Sequence, residues 1–185
     1  MDQIKPEWIA ALYADSAPAR GEAAAAIYHL GRERALNATR LWFQEPAFAA
    51  ICGPTPSVTV GLAVRQDTFA LIRAANDFPH LADVPPEQDA TEFELHFAGG
   101  IALDILTTRD PDANGAIAKF LAKQGEGIQQ VEFRCSDVNR AAAILREQFA
   151  APIYPEKRPG ANHTQVNFFL ASAPDSTKVL IELYE

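Results

Sequence analysis

Only two cysteines, Cys52 and Cys135, stand in 185 residues. Two thiols cannot build a four-ligand zinc cluster, and one pair in a chain this long is no disulfide framework. Both read as reduced core thiols. Basic residues are in deficit too: 16 lysines and arginines against 24 aspartates and glutamates leave a net charge of −8. With no basic patch and no aromatic-basic strand pattern, nucleic acid and anionic membrane surfaces are excluded as partners. No apolar run approaches the roughly 20 residues that span a bilayer. The opening MDQIKPEWIAALYADSAPAR carries acids and a proline where a signal peptide has a basic and then an apolar stretch. The expected location is therefore cytoplasmic, and the expected partner is a small molecule.

What is present is enough apolar material, 48% of residues, for an ordinary core. Texture changes at CGPTPS, Cys52 to Ser57, where glycine, prolines and small polar residues interrupt the chain. Before it, Trp8, Ile9, Leu12 and Tyr13 recur at helical spacing, and RGEAAAAIYHLGRERALNATRLWF is rich in alanine and leucine. Two or three helices are expected before Pro46, with Gly31 and LNAT as breaks. Residues 1–52 thus read as a helical extension, packed on the core or on a second copy of the chain in a homodimer. After Ser57 strand and helix alternate: SVTVGLAV, a helix over QDTFALIRAANDF, then the strands TEFELHF and IALDILTT. The order then restarts with GIQQVEFRC, a helix N-capped by Asp137, the short strand APIY, TQVNFFLA and KVLIELYE. The fold class is α+β: two βαβββ modules, 57–109 and 127–185, joined by a helix at 111–124 within a 56–185 domain. Superposing the halves sets Thr59 on Gln130 and Asp104 on Glu182. Duplicated units of this kind form a curved mixed sheet around one pocket.

The segments GAIAKFLAKQGEGIQQVEF, KRPGANHTQVNFF and KVLIELYE, with VPPEQDATEF before them, resemble the methylmalonyl-CoA epimerases. That family belongs to the vicinal-oxygen-chelate superfamily, with the glyoxalases, extradiol dioxygenases and bleomycin-resistance proteins. The resemblance covers roughly the last 130 residues and is most specific in the second half. It implies a divalent metal held by two histidines and two carboxylate or amide side chains, at positions occupied here by Thr59, Gln130, Asp104 and Glu182. Neither histidine is present. Neutral oxygen donors bind transition metals far more weakly than imidazole, so the expected cofactor is none or a weakly bound divalent metal. The resemblance also gives Glu87 and Glu182 catalytic places, as an acid-base pair that removes and returns an α-proton on opposite faces.

Strand alternation extends the expected pocket. If Gln130 faces inward, so do Glu132 and Arg134; with Glu182 goes Tyr184. In TEFELHF the apolar Phe93, Leu95 and Phe97 turn Glu92, Glu94 and His96 to the other side, and in QVNFF Gln165 and Asn167 are expected to share the polar face. Such an acidic face reads either as a relocated metal site around His96 or as a solvated surface whose charges pair with Arg134 and water. His29, His80 and His163 read as surface imidazoles, His163 and Arg158 lying beside the pocket mouth. Three functions follow: an isomerase or lyase with a degenerate metal site that takes a small acidic or acyl ligand, a non-catalytic binder of bleomycin-resistance type, or an assembly module.

Overall fold

A computed structural model describes residues 4–112, 114–149 and 152–185. The fold is α+β, and its seven strands pair in both parallel and antiparallel fashion. The chain forms two compact units: residues up to Leu30 with Val60–Gln129, and Gly31–Thr59 with Gln130–Glu185. Among the described residues no helix is long and apolar enough to cross a membrane.

The first unit holds β2 (Thr91–Phe97), β3 (Ile101–Thr107) and, from Val60 onward, β1 (Val58–Ala63), in the order β2-β3-β1. β2 and β3 form an antiparallel hairpin, and its turn needs Gly99 and Gly100 because both take positive φ, 79° and 75°. β3 then runs parallel to β1. Helix α4 (Gln66–Ala75) buries Phe69 and Ile72, with the Phe69 ring edge-on to Phe93 at 4.7 Å. Asn76, just past α4, donates its side-chain amide to Leu12 O at 2.9 Å and to Ile72 O at 2.8 Å. This ties the stretch after α1 (Pro6–Ala11) to the helix that covers the strands. Leu12, fully buried, is part of that core.

The second unit orders its strands β4-β7-β6-β5, with β4 at Gly127–Arg134, β5 at Arg158–Pro159, β6 at Gln165–Ser172 and β7 at Lys178–Tyr184. Helix α6 (Val138–Gln148) starts where Asp137 accepts from Arg140 N at 2.9 Å. Its Val138, Ala141, Ala142 and Leu145 are buried, as are Val131, Phe133, Phe169, Ile181 and Leu183 of the strands. The end of α2 (Ala17–Ala38), a short helical turn at Trp42–Gln44 and α3 (Pro46–Cys52) belong to this core too. Trp42 meets Phe169 edge-on at 5.9 Å, and Phe43 meets Phe133 at 5.5 Å. Ser136 reaches Ile51 O through both its backbone N–H and its hydroxyl. The two cysteines sit beside this contact, buried and unbridged, with Cys52 donating to the sulfur of Cys135. That bond raises the Cys52 thiol and lowers Cys135.

Several local expectations are corrected. Gly31 does not break α2, which runs on to Ala38. The joining helix expected at 111–124 starts at Ala116, after a turn at Pro111–Asp112; Ala113 lies outside the described residues. APIY forms no strand of its own. Its first residue lies outside the described set, Pro152 makes a single bridge to Phe169, and the paired strand falls later, at Arg158–Pro159.

Candidate functional site

The second unit carries the denser polar group. β4 and β7 run parallel with Glu132 opposite Glu182 and Arg134 opposite Tyr184. The residues between these, Val131, Phe133, Ile181 and Leu183, are fully buried on the helix side. Alternation therefore puts Gln130, Glu132 and Arg134 on the other face, with Leu180, Glu182 and Tyr184. There the Gln130 side chain, 9% exposed, donates through Nε2 to Glu182 Oε2 at 2.6 Å and to Glu132 Oε1 at 3.2 Å. One neutral amide thus donates to two acidic side chains at once, each of its N–H bonds serving one carboxyl group. Gln129, the neighbouring glutamine, points to the opposite side of β4.

The antiparallel register of β6 on β7 corrects part of the expected pocket. Phe168 stands opposite Glu182, while Asn167 stands opposite Leu183. Gln165 and Asn167 therefore point to the helix side, away from Glu182 and Gln130. Asn167 is 1% exposed; its amide donates to Tyr154 O at 3.2 Å, and its Oδ1 accepts from Phe168 N at 2.8 Å. The polar residues of β6 thus lie one residue out of step with the expected face. QVNFFLAS has apolar residues on both sides of the strand, so alternation alone does not set its register. The residues that take the face instead are Val166, Phe168 and Leu170.

In the first unit, Glu92, Glu94 and His96 share one face of β2, opposite Leu106, Asp104 and Ala102 of β3. Phe93 and Leu95 are buried on the other side. His96 Nε2 lies 2.8 Å from Glu94 Oε2, and both side chains are well exposed. Asp104 is 6% exposed, opposite Glu94 on one side and Gly61 of β1 on the other. Burial, and then the charge of Glu94, push the Glu92 carboxyl up to about 7, with Arg109 pulling the other way. A carboxyl that titrates near neutrality holds or releases a proton at physiological pH, as a general acid or base must. Glu87 sits exposed on the turn in which Gln88 N bonds Pro85 O. The carboxylate that anchors this loop is Asp89, which accepts from Thr108 Oγ1, Arg109 N and Asp110 N. Thr59, near the start of β1 and within the second unit, is 7% exposed.

Among the described residues no three or more His, Cys, Asp and Glu side chains come together to hold a metal ion. In the Gln130 group the carboxyl oxygens are met by the amide nitrogen of Gln130, which donates and does not ligate, and the Oε1 of the same amide is the atom a cation would take.

No protein-family model matches the sequence, and no curated protein does. Solved structures do. The methylmalonyl-CoA epimerase of Mycobacterium tuberculosis is 29% identical, with a TM-score of 0.58 over 74% of this chain and 91% of that one. A variant of the Streptomyces coelicolor epimerase, in complex with 2-nitronate-propionyl-CoA, is 25% identical, with a TM-score of 0.54 over 70% of this chain and 96% of that one. A hypothetical protein of Bacillus halodurans is 26% identical, with a TM-score of 0.55 over 69% and 91%. The chain has the vicinal-oxygen-chelate fold of these epimerases.

Proposed function

We propose that this protein binds a small acyl ligand on the second unit's sheet without a transition metal. The observation that carries the reading is the Gln130 amide held between Glu132 and Glu182. It supports a preformed polar centre in which one neutral amide is already hydrogen-bonded to both acidic side chains. Phe168, Leu170 and Leu180, on the same face of β6 and β7, offer apolar surface for the hydrocarbon part. The ligand class is drawn from the structural neighbours, one of which is a complex with 2-nitronate-propionyl-CoA and another with methylmalonyl-CoA and NH4+. Calorimetric titration with propionyl-CoA and methylmalonyl-CoA, with and without EDTA, tests this. Binding that survives EDTA is expected. Elemental analysis showing about one zinc or cobalt per chain, together with loss of binding on chelation, would overturn it.

A second reading, an isomerase or lyase, is favoured by Glu92, whose carboxyl titrates near 7. Exchange of the α-proton of methylmalonyl-CoA with deuterated solvent measures it. Exchange abolished in Glu92→Gln supports catalysis, and no exchange above the uncatalysed rate removes it.

A further inference from the structure

We propose that Arg158 and Arg134 form an anion-binding row on the second unit's sheet. The row receives a phosphate or carboxylate group of the acyl ligand, and it rests on the binding function proposed above. Four cross-strand partners define it: Arg158 opposite Val166, Val166 opposite Tyr184, and Tyr184 opposite Arg134. Directly paired residues share a face, so both arginines stand on the side of Gln130 and Glu182. Three strand spacings of about 4.8 Å separate their Cα atoms by about 14 Å. Two long side chains on one face, with Val166 and Tyr184 between them, are long enough to meet one extended anionic group over that distance.

Neither arginine is used elsewhere. Among the described residues neither side chain makes an ion pair or a hydrogen bond with a carboxylate, although acids outnumber bases by 24 to 16 in this chain. Lys157, one residue earlier, is by contrast bound to Glu185. The Arg158 guanidinium lies 4.3 Å from the centre of the Tyr154 ring, and that ring meets Phe168 edge-on at 6.0 Å. Stacking fixes the plane of the guanidinium and leaves its N–H edges free, the arrangement in which two N–H groups receive two oxygens of a carboxylate or a phosphate. One pair of residues along the strands, Glu182 and Glu132 place two carboxylates. These repel an anion from the centre of the face and confine it to the arginine row. The ligand is thereby oriented, its charged end at Arg158 and Arg134 and its apolar part over Phe168. A net charge of −8 opposes anion capture in general, so a local cationic row is what an anionic ligand requires here.

Calorimetry of the full chain with four probes tests the row: propionyl-CoA, propionyl-pantetheine, methylmalonyl-pantetheine and inorganic pyrophosphate. The pantetheine thioesters lack the nucleotide phosphates, and only the methylmalonyl one carries a carboxylate, so the two sources of anion are separated. Binding of propionyl-CoA and pyrophosphate is expected to weaken about tenfold or more in Arg158→Gln and in Arg134→Gln, and further in the double variant. Added salt is expected to weaken it steeply. Arg158→Lys should recover part of the loss, and propionyl-pantetheine should bind all variants equally. If methylmalonyl-pantetheine follows the variants and pyrophosphate does not, the group received is a carboxylate. Propionyl-CoA, methylmalonyl-pantetheine and pyrophosphate all binding the double variant as they bind the parent would overturn the row while leaving acyl binding intact. Arginine-dependent binding of pyrophosphate, with no acyl thioester bound, would keep the row and remove the acyl reading. Thermal melts of each variant within a few degrees of the parent separate lost contacts from lost fold.

Discussion

At the scale of single residues, two carboxyl environments make opposite demands. Glu92 titrates near 4.5 in an unfolded chain and near 7 in the fold. Between those values the native state binds the extra proton, so stability from protonated Glu92 is complete below about 4.5 and is lost as pH rises through 7. Above that, the folded chain carries a half-buried charge beside Glu94. Glu92→Gln should therefore be more stable than the parent at about pH 8, by on the order of 1–3 kcal/mol, with little difference near pH 4.5. Melting curves at both pH values check this, and an equal offset at the two would show that Glu92 is not the group that titrates. Gln130 is the converse case, a neutral donor that satisfies two acids. Gln130→Leu leaves Glu132 and Glu182 facing each other without it and should cost about 1–3 kcal/mol, read by denaturant unfolding. A variant as stable as the parent would mean that the amide bridge contributes nothing. The sequence showed which side chains could cluster here, because charge at every second position of a strand is visible without coordinates. That the Gln130 nitrogen points to both carboxylates was not visible, since it depends on one rotamer and on the pairing of β4 with β7.

Among the elements, legibility followed the strength of the local signal. α6 was readable from Asp137 and its buried stripe, and the β2–β3 hairpin from AGG, because a cap and a glycine turn act within a few residues. β6 departs from its expected register by one step because Asn167 and Phe168 are both compatible with either face, and the partner strand decides. β5 was misplaced because only two residues pair. Its position is set by the loop that follows, where Gly160 N bonds Thr164 O and Thr164 Oγ1 bonds Ala161 O. Gly160 must be glycine for room: a Cβ there would stand 2.5 Å from Thr164 Oγ1 and 2.6 Å from Val166 Cγ1. Val166 and Thr164 are held by the strand and by that bond, so the loop itself has to move. Gly160→Ala is expected to cost about 1–3 kcal/mol and, by shifting Arg158, to weaken anion binding more than it weakens binding of an uncharged thioester. Equal loss for both kinds of ligand would place the damage in the whole sheet rather than in the arginine row.

For the whole molecule, the question is what the first 52 residues do. The first of the boundaries between the compact units falls between Leu30 and Gly31, inside the single helix α2. The N-terminal helices are thus shared out, and each unit takes part of its core from them. Leu12, Ala24 and Ile27 are fully buried in the first unit, and Phe48 in the second with Trp42 nearly so. An appendage on a finished domain would leave the strands with cores of their own. Here Phe133 and Phe169 of the second unit's sheet meet Phe43 and Trp42 directly, so removing that segment uncovers the sheet as well as the segment's own side chains. Each large apolar side chain stripped of its cover forfeits roughly 1.5–3 kcal/mol, against a total stability of about 5–15 kcal/mol for a domain. A handful of such losses exceeds what the fold has. A chain beginning at Pro54 is accordingly expected to be insoluble or to melt without a cooperative transition. Trp42→Ala in the full chain should reproduce part of the loss, about 3–5 kcal/mol. A shortened chain that melts cooperatively at the parent's temperature would show that residues 1–52 are dispensable and that each unit is complete without them.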